Sequence, residues 1–253
     1  MREIKVFTRN QKGEKLVGVK TYPDKTKNKY PAVLLVHGFG VTRDEYNGYF
    51  PEFAKSLSSA GYLIYRFDFS GCGESEGDFS KITLTKRVED LRSLLNFLKI
   101  ESEIDVNNIA IVAQSFGTSP TIILAPNIKA IALLGSFHNL TDVFAHHFGT
   151  AFNPNGLTKI PRSDGGITAI DSQFWPDLKR YNLLEDIKKT NTNLLFVHGD
   201  KDATCPLEEM ESLFEAANEP KEKIVIKGND HCQDPDRNKA YKVVISWLDK
   251  NLR

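Results

Sequence analysis

Three side chains far apart in the chain have the types and local settings of a nucleophilic acyl-transfer centre: Ser115, Asp202 and His231. Ser115 lies in Ala113-Gln114-Ser115-Phe116-Gly117, between the apolar run Ile109–Ala113 and the helical stretch Thr118–Ala125. A strand, a sharp turn and a helix in that order push a serine hydroxyl clear of the main chain in a strained conformation, which small flanking residues permit. The helix behind it brings free N–H groups and positive dipole to the same place. Pro120 is tolerated because it falls in the first turn. A serine needs a base, and the base needs an orienting carboxylate. The run Asn193–His198 leads into Gly199-Asp200-Lys201-Asp202. Asp202 is assigned the carboxylate role and Asp200 the bracing of its loop. Lys223–Lys227 leads through Gly228-Asn229-Asp230 to His231, placed to take the serine proton and return it to a leaving alcohol.

The oxyanion formed in acyl transfer requires two backbone N–H donors. Phe116, directly after the nucleophile, supplies one. The other is expected from Phe39, in His37-Gly38-Phe39-Gly40 at the end of the run Ala32–Val36, where glycine lets a substrate approach the backbone closely. His37 reads as a residue that orders this loop rather than as a base.

These residues need a scaffold that gathers them. Ala32–Val36, Leu63–Phe67, Ile109–Ala113, Lys129–Leu134, Asn193–His198 and Lys223–Lys227 are short, apolar and rich in β-branched and aromatic residues, as strands buried on both faces are. Between them lie helical patterns: Val88, Leu91, Leu94, Leu95 and Leu98 share a face within Leu84–Ile100, Pro206 opens a second helix, and Pro235 after Asp234 opens the last. Ile4–Thr8 and Leu16–Lys20 alternate about a Gly13 turn and read as an antiparallel hairpin. The fold class is α/β: a mostly parallel central sheet flanked by helices, with candidate site residues beyond the carboxyl ends of its strands.

One segment interrupts the alternation. Residues 137–180 show no strand pattern but hold Trp175 and five of the chain's 16 phenylalanines: Phe137, Phe144, Phe148, Phe152 and Phe174. The expectation is one domain over 1–253 with 137–180 inserted as a small lid and Gly165-Gly166 as its hinge. Gly38, Phe137, Phe144 and Trp175 are then candidate substrate contacts. Aromatics that merely glue the insertion to the core are the plain alternative.

Lys plus Arg and Asp plus Glu number 33 each, so no overall field draws the chain to nucleic acid or anionic lipid. No apolar run approaches the roughly 18–20 residues of a membrane span, and no signal peptide is legible at the start. Cys72, Cys205 and Cys232 form no CxxC pair, which argues against a disulfide framework and a zinc site and for a reducing, cytoplasmic setting. Adjacent His146 and His147 diverge by about 100° on a helix and make a poor metal pair; with His138 and His198 they read as structural or lid residues. The expected partner is a small ester, with no cofactor, metal, nucleic acid or membrane, and with a homodimer left open. If the catalytic loops converge, Cys205 and Cys232 come near each other, which raises oxidative sensitivity of the site rim as a question.

Over nearly its whole length the chain resembles the α/β-hydrolase superfamily. It is most similar there to compact esterases of the serine aminopeptidase-like group, including cinnamoyl or feruloyl esterases. The segments that carry the likeness are His37-Gly38-Phe39-Gly40, the loop Arg66 to Gly77 with Asp68, Gly71, Gly73 and Ser75 in the spacing D-x-x-G-x-G-x-S, Gln114-Ser115-Phe116-Gly117, His198-Gly199-Asp200-Lys201-Asp202 and Asp230-His231-Cys232. The departure is Ala113, where such elbows carry glycine. The resemblance implies a triad of Ser115, Asp202 and His231, oxyanion N–H groups from Phe39 and Phe116, and a site floor shaped by the 66–77 loop. It also implies cleavage of small carboxylic esters through an acyl-enzyme. Acyl transfer, perhydrolysis, thioester or peptide cleavage by the same triad, and a silent ligand-binding homologue, are the competing readings.

Overall fold

The computed structural model describes residues 1–161 and 167–252. Its chain order is β1 (Arg2–Arg9), β2 (Lys15–Tyr22), β3 (Tyr30–Val36), α1 (Tyr49–Ser59), β4 (Leu63–Phe67), α2 (Leu84–Ile100), β5 (Ile104–Gln114), α3 (Thr118–Leu124), β6 (Ala130–Leu134), α4 (Leu140–Phe148), β7 (Thr158–Pro161), β8 (Ile167–Ile170), α5 (Phe174–Leu178), α6 (Leu183–Asp186), β9 (Asn193–Gly199), α7 (Leu207–Ala216), β10 (Lys221–Ile226) and α8 (Arg237–Leu252). Eight strands form one sheet in the order β1-β2-β4-β3-β5-β6-β9-β10. β1 and β2 pair antiparallel, β2 joins β4 antiparallel, and every pairing from β4 to β10 is parallel.

The alternation of side chains along each strand builds two cores. Leu34 and Ile111 point to the face covered by α2 and α3 through Leu91, Leu94 and Ile122. Val33, Leu35, Ala110 and Val112 point to the opposite face, covered by α1 and α8 through Phe53, Leu57, Val244 and Leu248. A strand clothed by helices on both sides must be apolar at every position, which is why β3, β6 and the Ile109–Ala113 part of β5 read as unbroken runs. Thr83 starts α2 by accepting the Lys86 N–H with its hydroxyl at 3.1 Å. At the hairpin, the Asn10 side chain accepts the N–H groups of Lys12 and Glu14, both at 3.0 Å.

Three expectations are corrected. The inserted region contains a two-stranded hairpin, β7 with β8, running antiparallel from Thr158↔Ile170 to Pro161↔Ile167; four residues per strand are too few to register as alternation. α8 begins at Arg237, two residues beyond Pro235, whereas α7 starts directly after Pro206, as expected. β10 covers Lys221–Ile226, because a sheet-edge strand is half solvated and its apolar run understates its start. The suggested Gly165-Gly166 hinge lies outside the described residues. Among those described, no helix is long and apolar enough to cross a membrane.

Candidate active site

β5 ends at Gln114, and the chain turns so sharply that Ser115 takes φ 54°, in the left-handed region. A non-glycine residue held there costs on the order of 1 kcal/mol, and such strain persists only where the surroundings impose it. The surroundings here are close: a Cβ on Gly117 would collide with the carbonyl oxygens of Val36 and His37. Ala113, fully buried and paired with Val36 and Leu133, fits its place in the sheet without disturbing the turn.

β9 and β10 deliver the other two residues. His231 Nε2 lies 2.8 Å from Ser115 Oγ, and His231 Nδ1 lies 2.7 Å from Asp202 Oδ2. A carboxylate only accepts, so Nδ1 carries the proton and donates it to Asp202, leaving Nε2 to accept the Ser115 O–H. Asp202 Oδ1 accepts the N–H groups of Thr204 (2.9 Å) and Cys205 (2.7 Å). Burial works to raise the Asp202 carboxyl, but hydrogen bonds from His198 and His231 prevail and hold it well below the usual carboxylate range.

Sequence reasoning treated His198 as a structural residue without seeing its partner. Its Nε2 is 2.8 Å from Cys205 O and 3.2 Å from Asp202 Oδ2, so Asp202 sits between two imidazoles. Gln114 was also missed: its Nε2–H donates to the His231 carbonyl at 2.8 Å, pinning the His231 loop to the end of β5. Gly135 is pinned in turn, since a Cβ there would lie 3.1 Å from the His231 ring. Asp200 accepts the Gly228 N–H at 2.6 Å and so ties the β9 loop to the β10 loop.

Phe39 follows the β3 strand end, and its N–H has no hydrogen-bond partner among the described residues. Phe116 is the second residue of a short 3-10 turn, where an N–H has no acceptor within the turn. Gly38 lies against Ser115: a Cβ built on it would come within 3.2 Å of Ser115 Cβ. His37 is wholly buried, donates from Nδ1 to Gly38 O (3.0 Å) and accepts the Phe69 N–H at Nε2 (3.1 Å). Burial and the Arg87 guanidinium push its pKa well down, so it is a neutral brace for the loop.

The 66–77 loop corrects another expectation. None of its residues lines the cavity beside Ser115. Instead the buried Asp68 accepts the Arg43 N–H (2.7 Å), pairs with the Arg43 guanidinium and accepts the Glu74 N–H (3.0 Å). It thereby fixes the β3–α1 loop from behind.

The cavity over Ser115 holds about 230 Å³ and is mostly apolar, with Phe39, Val41, Phe137, Val143 and Phe144 among its walls. Gly38, Phe137 and Phe144 line it as expected; Trp175 does not. The Trp175 ring packs edge-on against Phe148 (5.6 Å), Phe152 (4.6 Å) and Phe174 (5.2 Å), so it knits the insertion together from within. His147, three residues after Phe144 and so on nearly the same face of α4, reaches the cavity too, beyond the structural or lid role expected of it.

Asp202, Cys205 and His231 offer donor atoms within 4.8 Å of one another. They are a poor metal set: both Asp202 oxygens are engaged, His231 Nδ1 is bonded to one of them, and burial pushes the Cys205 thiol far up. Burial likewise pushes the Cys232 thiol up to about 12. Neither sulfur is a ready thiolate, which weighs against oxidative control of the rim.

With fold and site in view, comparison with known proteins agrees. The Alpha/beta hydrolase family model matches residues 33–238, and the chain belongs to that family. Over 238 residues it is 26% identical to an uncharacterized protein of Mycobacterium tuberculosis, covering 91% of this chain and 73% of that protein. A 31.7 kDa uncharacterized protein of Escherichia coli is 33% identical over 89 residues, which is 35% of this chain and 30% of the relative. Among solved structures, Est1E of Butyrivibrio proteoclasticus with ferulic acid bound superposes with TM-score 0.85 at 20% identity, covering 97% of this chain and 98% of that one. Alpha/beta hydrolase GrgF from Penicillium gives 0.82 at 20% identity, with 100% and 99% covered. At these identities the structural likeness speaks to the fold.

Proposed function

We propose that the protein is a serine hydrolase that cleaves small carboxylic esters through an acyl-enzyme on Ser115. The observation that carries this reading is the continuous chain of contacts from Ser115 Oγ to His231 (2.8 Å) and from His231 to Asp202 (2.7 Å), opening into the cavity beside two available N–H groups. The Ser115 oxygen attacks the ester carbonyl carbon while His231 Nε2 takes its proton. Asp202, held as a carboxylate, stabilises the imidazolium. The N–H groups of Phe39 and Phe116 receive the negative oxygen of the tetrahedral intermediate. His231 then gives its proton to the departing alcohol. A water molecule deprotonated by the same nitrogen releases the acid and restores the serine.

A cavity of about 230 Å³ suits a small acyl group. Its Phe39, Phe137 and Phe144 rings support a second, narrower reading in which the acyl group is aromatic, as in the ferulic acid held by Est1E. A fluorophosphonate probe should label the protein at Ser115 and leave Ser115→Ala unlabelled; an unlabelled wild-type protein would mark a silent binding homologue. A panel of esters and thioesters varied in acyl length and aromaticity, scored by kcat/KM, separates the narrower readings.

A further inference from the structure

The triad and oxyanion groups leave one wall of the cavity unexplained. That wall comes from the start of α1 and the loop before it, and it carries Glu45 and Tyr49. Glu45 has φ 56°, Asn47 φ 49° and Gly48 φ 70°. Two non-glycine residues in the left-handed region within three positions are costly, and the cost goes into turning the Glu45 side chain back toward the nucleophile. Its Oε1 accepts the Gly38 N–H, and its Oε2 accepts the Tyr46 N–H at 3.2 Å. A Cβ on Gly38 would lie 3.2 Å both from Glu45 Oε1 and from Ser115 Cβ, so the carboxyl stands next to the reacting centre.

Each carboxylate oxygen can accept two hydrogen bonds, so each retains a free lone pair. Tyr49 is 1% exposed, lines the same cavity, and its hydroxyl has no hydrogen-bond partner among the described residues. Its main chain is held by the Tyr241 hydroxyl, which donates to Tyr49 O at 3.0 Å, and the Arg237 guanidinium lies 5.5 Å over its ring. A rigid, buried, unanswered hydroxyl that shares a mostly apolar cavity with a carboxyl is a costly arrangement without a polar ligand.

We infer that Glu45 and Tyr49 form a subsite for a hydroxyl group on the substrate, whose O–H donates to the Glu45 carboxylate and whose oxygen accepts the Tyr49 O–H. This deepens the ester-hydrolase reading and rests on it for the word substrate. Burial raises the Glu45 carboxyl to about 7 against the pull of the Gly38 and Tyr46 N–H donors. An anionic substrate group would meet repulsion here, and a methyl group of the same size would leave both partners unanswered.

The test is calorimetric binding to Ser115→Ala, which does not consume the ester. Two isosteric pairs place the hydroxyl on either side of the ester: 2-hydroxyethyl butanoate against propyl butanoate, and ethyl 4-hydroxybutanoate against ethyl pentanoate. In at least one pair the hydroxylated ester should bind about tenfold tighter or more. Adding Tyr49→Phe or Glu45→Gln should bring that ratio down by about threefold to tenfold. Glu45→Gln keeps an acceptor for Gly38, so it reads the subsite even if Tyr49→Phe fails to fold. Equal binding in both pairs, or a preference that survives both substitutions, overturns the subsite. Failure of the hydrolase reading shows separately, as wild-type protein that resists the fluorophosphonate while the binding preference persists.

Discussion

The turn at Ser115 and the segment 137–180 both border the cavity, but they are held by different means. The turn is fixed by main-chain geometry: Ser115 at φ 54°, Gly117 wedged under the Val36 and His37 carbonyls, and Gln114 tied to the His231 carbonyl. The insertion is fixed by rings: Phe144 packs edge-on against Phe39 (4.9 Å), Phe116 (4.8 Å) and Phe174 (5.0 Å). Backbone geometry tolerates no adjustment, whereas a cluster of rings can repack at modest cost. The reaction is therefore expected to depend on the first region and the substrate range on the second.

Substitutions can break or sharpen that contrast. The largest effect should come from Asp202→Asn, with kcat lowered about 10⁴-fold through loss of the His231 tautomer. Its effect on stability has a definite sign. The folded Asp202 carboxyl is held below its unfolded value, so it stabilises the protein above about pH 4 and this contribution fades as pH falls further. Chemical denaturation from pH 7 to pH 3 should show wild type losing more stability than the variant. Next, Gly117→Ala should cost about 3 kcal/mol or more in urea denaturation, because the new methyl meets two carbonyl oxygens. Gly149→Ala, in the insertion, meets no atom within 4 Å, so its cost should be only the roughly 1–3 kcal/mol of a backbone (φ 51°, ψ −127°) that favours glycine. Equal losses at the two glycines would erase the distinction. Smallest, Phe144→Leu should cost about 1 kcal/mol and shift KM between short and aromatic acyl esters several-fold with little change in kcat. A kcat collapse there would mean that the insertion holds the reacting groups as well.

The same contrast explains what could be read from residues alone. The parallel strands were legible because a strand covered on both faces must be apolar throughout, as Leu34 and Leu35 show by facing different cores. The placement of Ser115, Asp202 and His231 at strand ends followed from those runs, and the structure brings the three within hydrogen-bonding reach. The insertion was visible only as an enrichment in phenylalanine. Its hairpin was too short to show a period, and which rings face the cavity depends on packing, so Trp175 was misplaced. Glu45 escaped notice because an acid in a polar loop, among Arg43, Asp44 and Tyr46, looks like solvated surface. Only the left-handed backbone at positions 45 and 47 turns it inward; Asn47-Gly48 signals a turn, but a glutamate at position 45 does not announce that conformation. His198 was hidden for a related reason: its partner is set by the fold of the loop after β9.

β6 and β9 are side-by-side neighbours in parallel register, from Ala130↔Asn193 to Leu134↔Val197, although the whole insertion separates them along the chain. The excursion leaves and re-enters the sheet without displacing any strand. The sheet is therefore continuous without the segment, so a change of length between positions 137 and 180 need not alter the register of any strand.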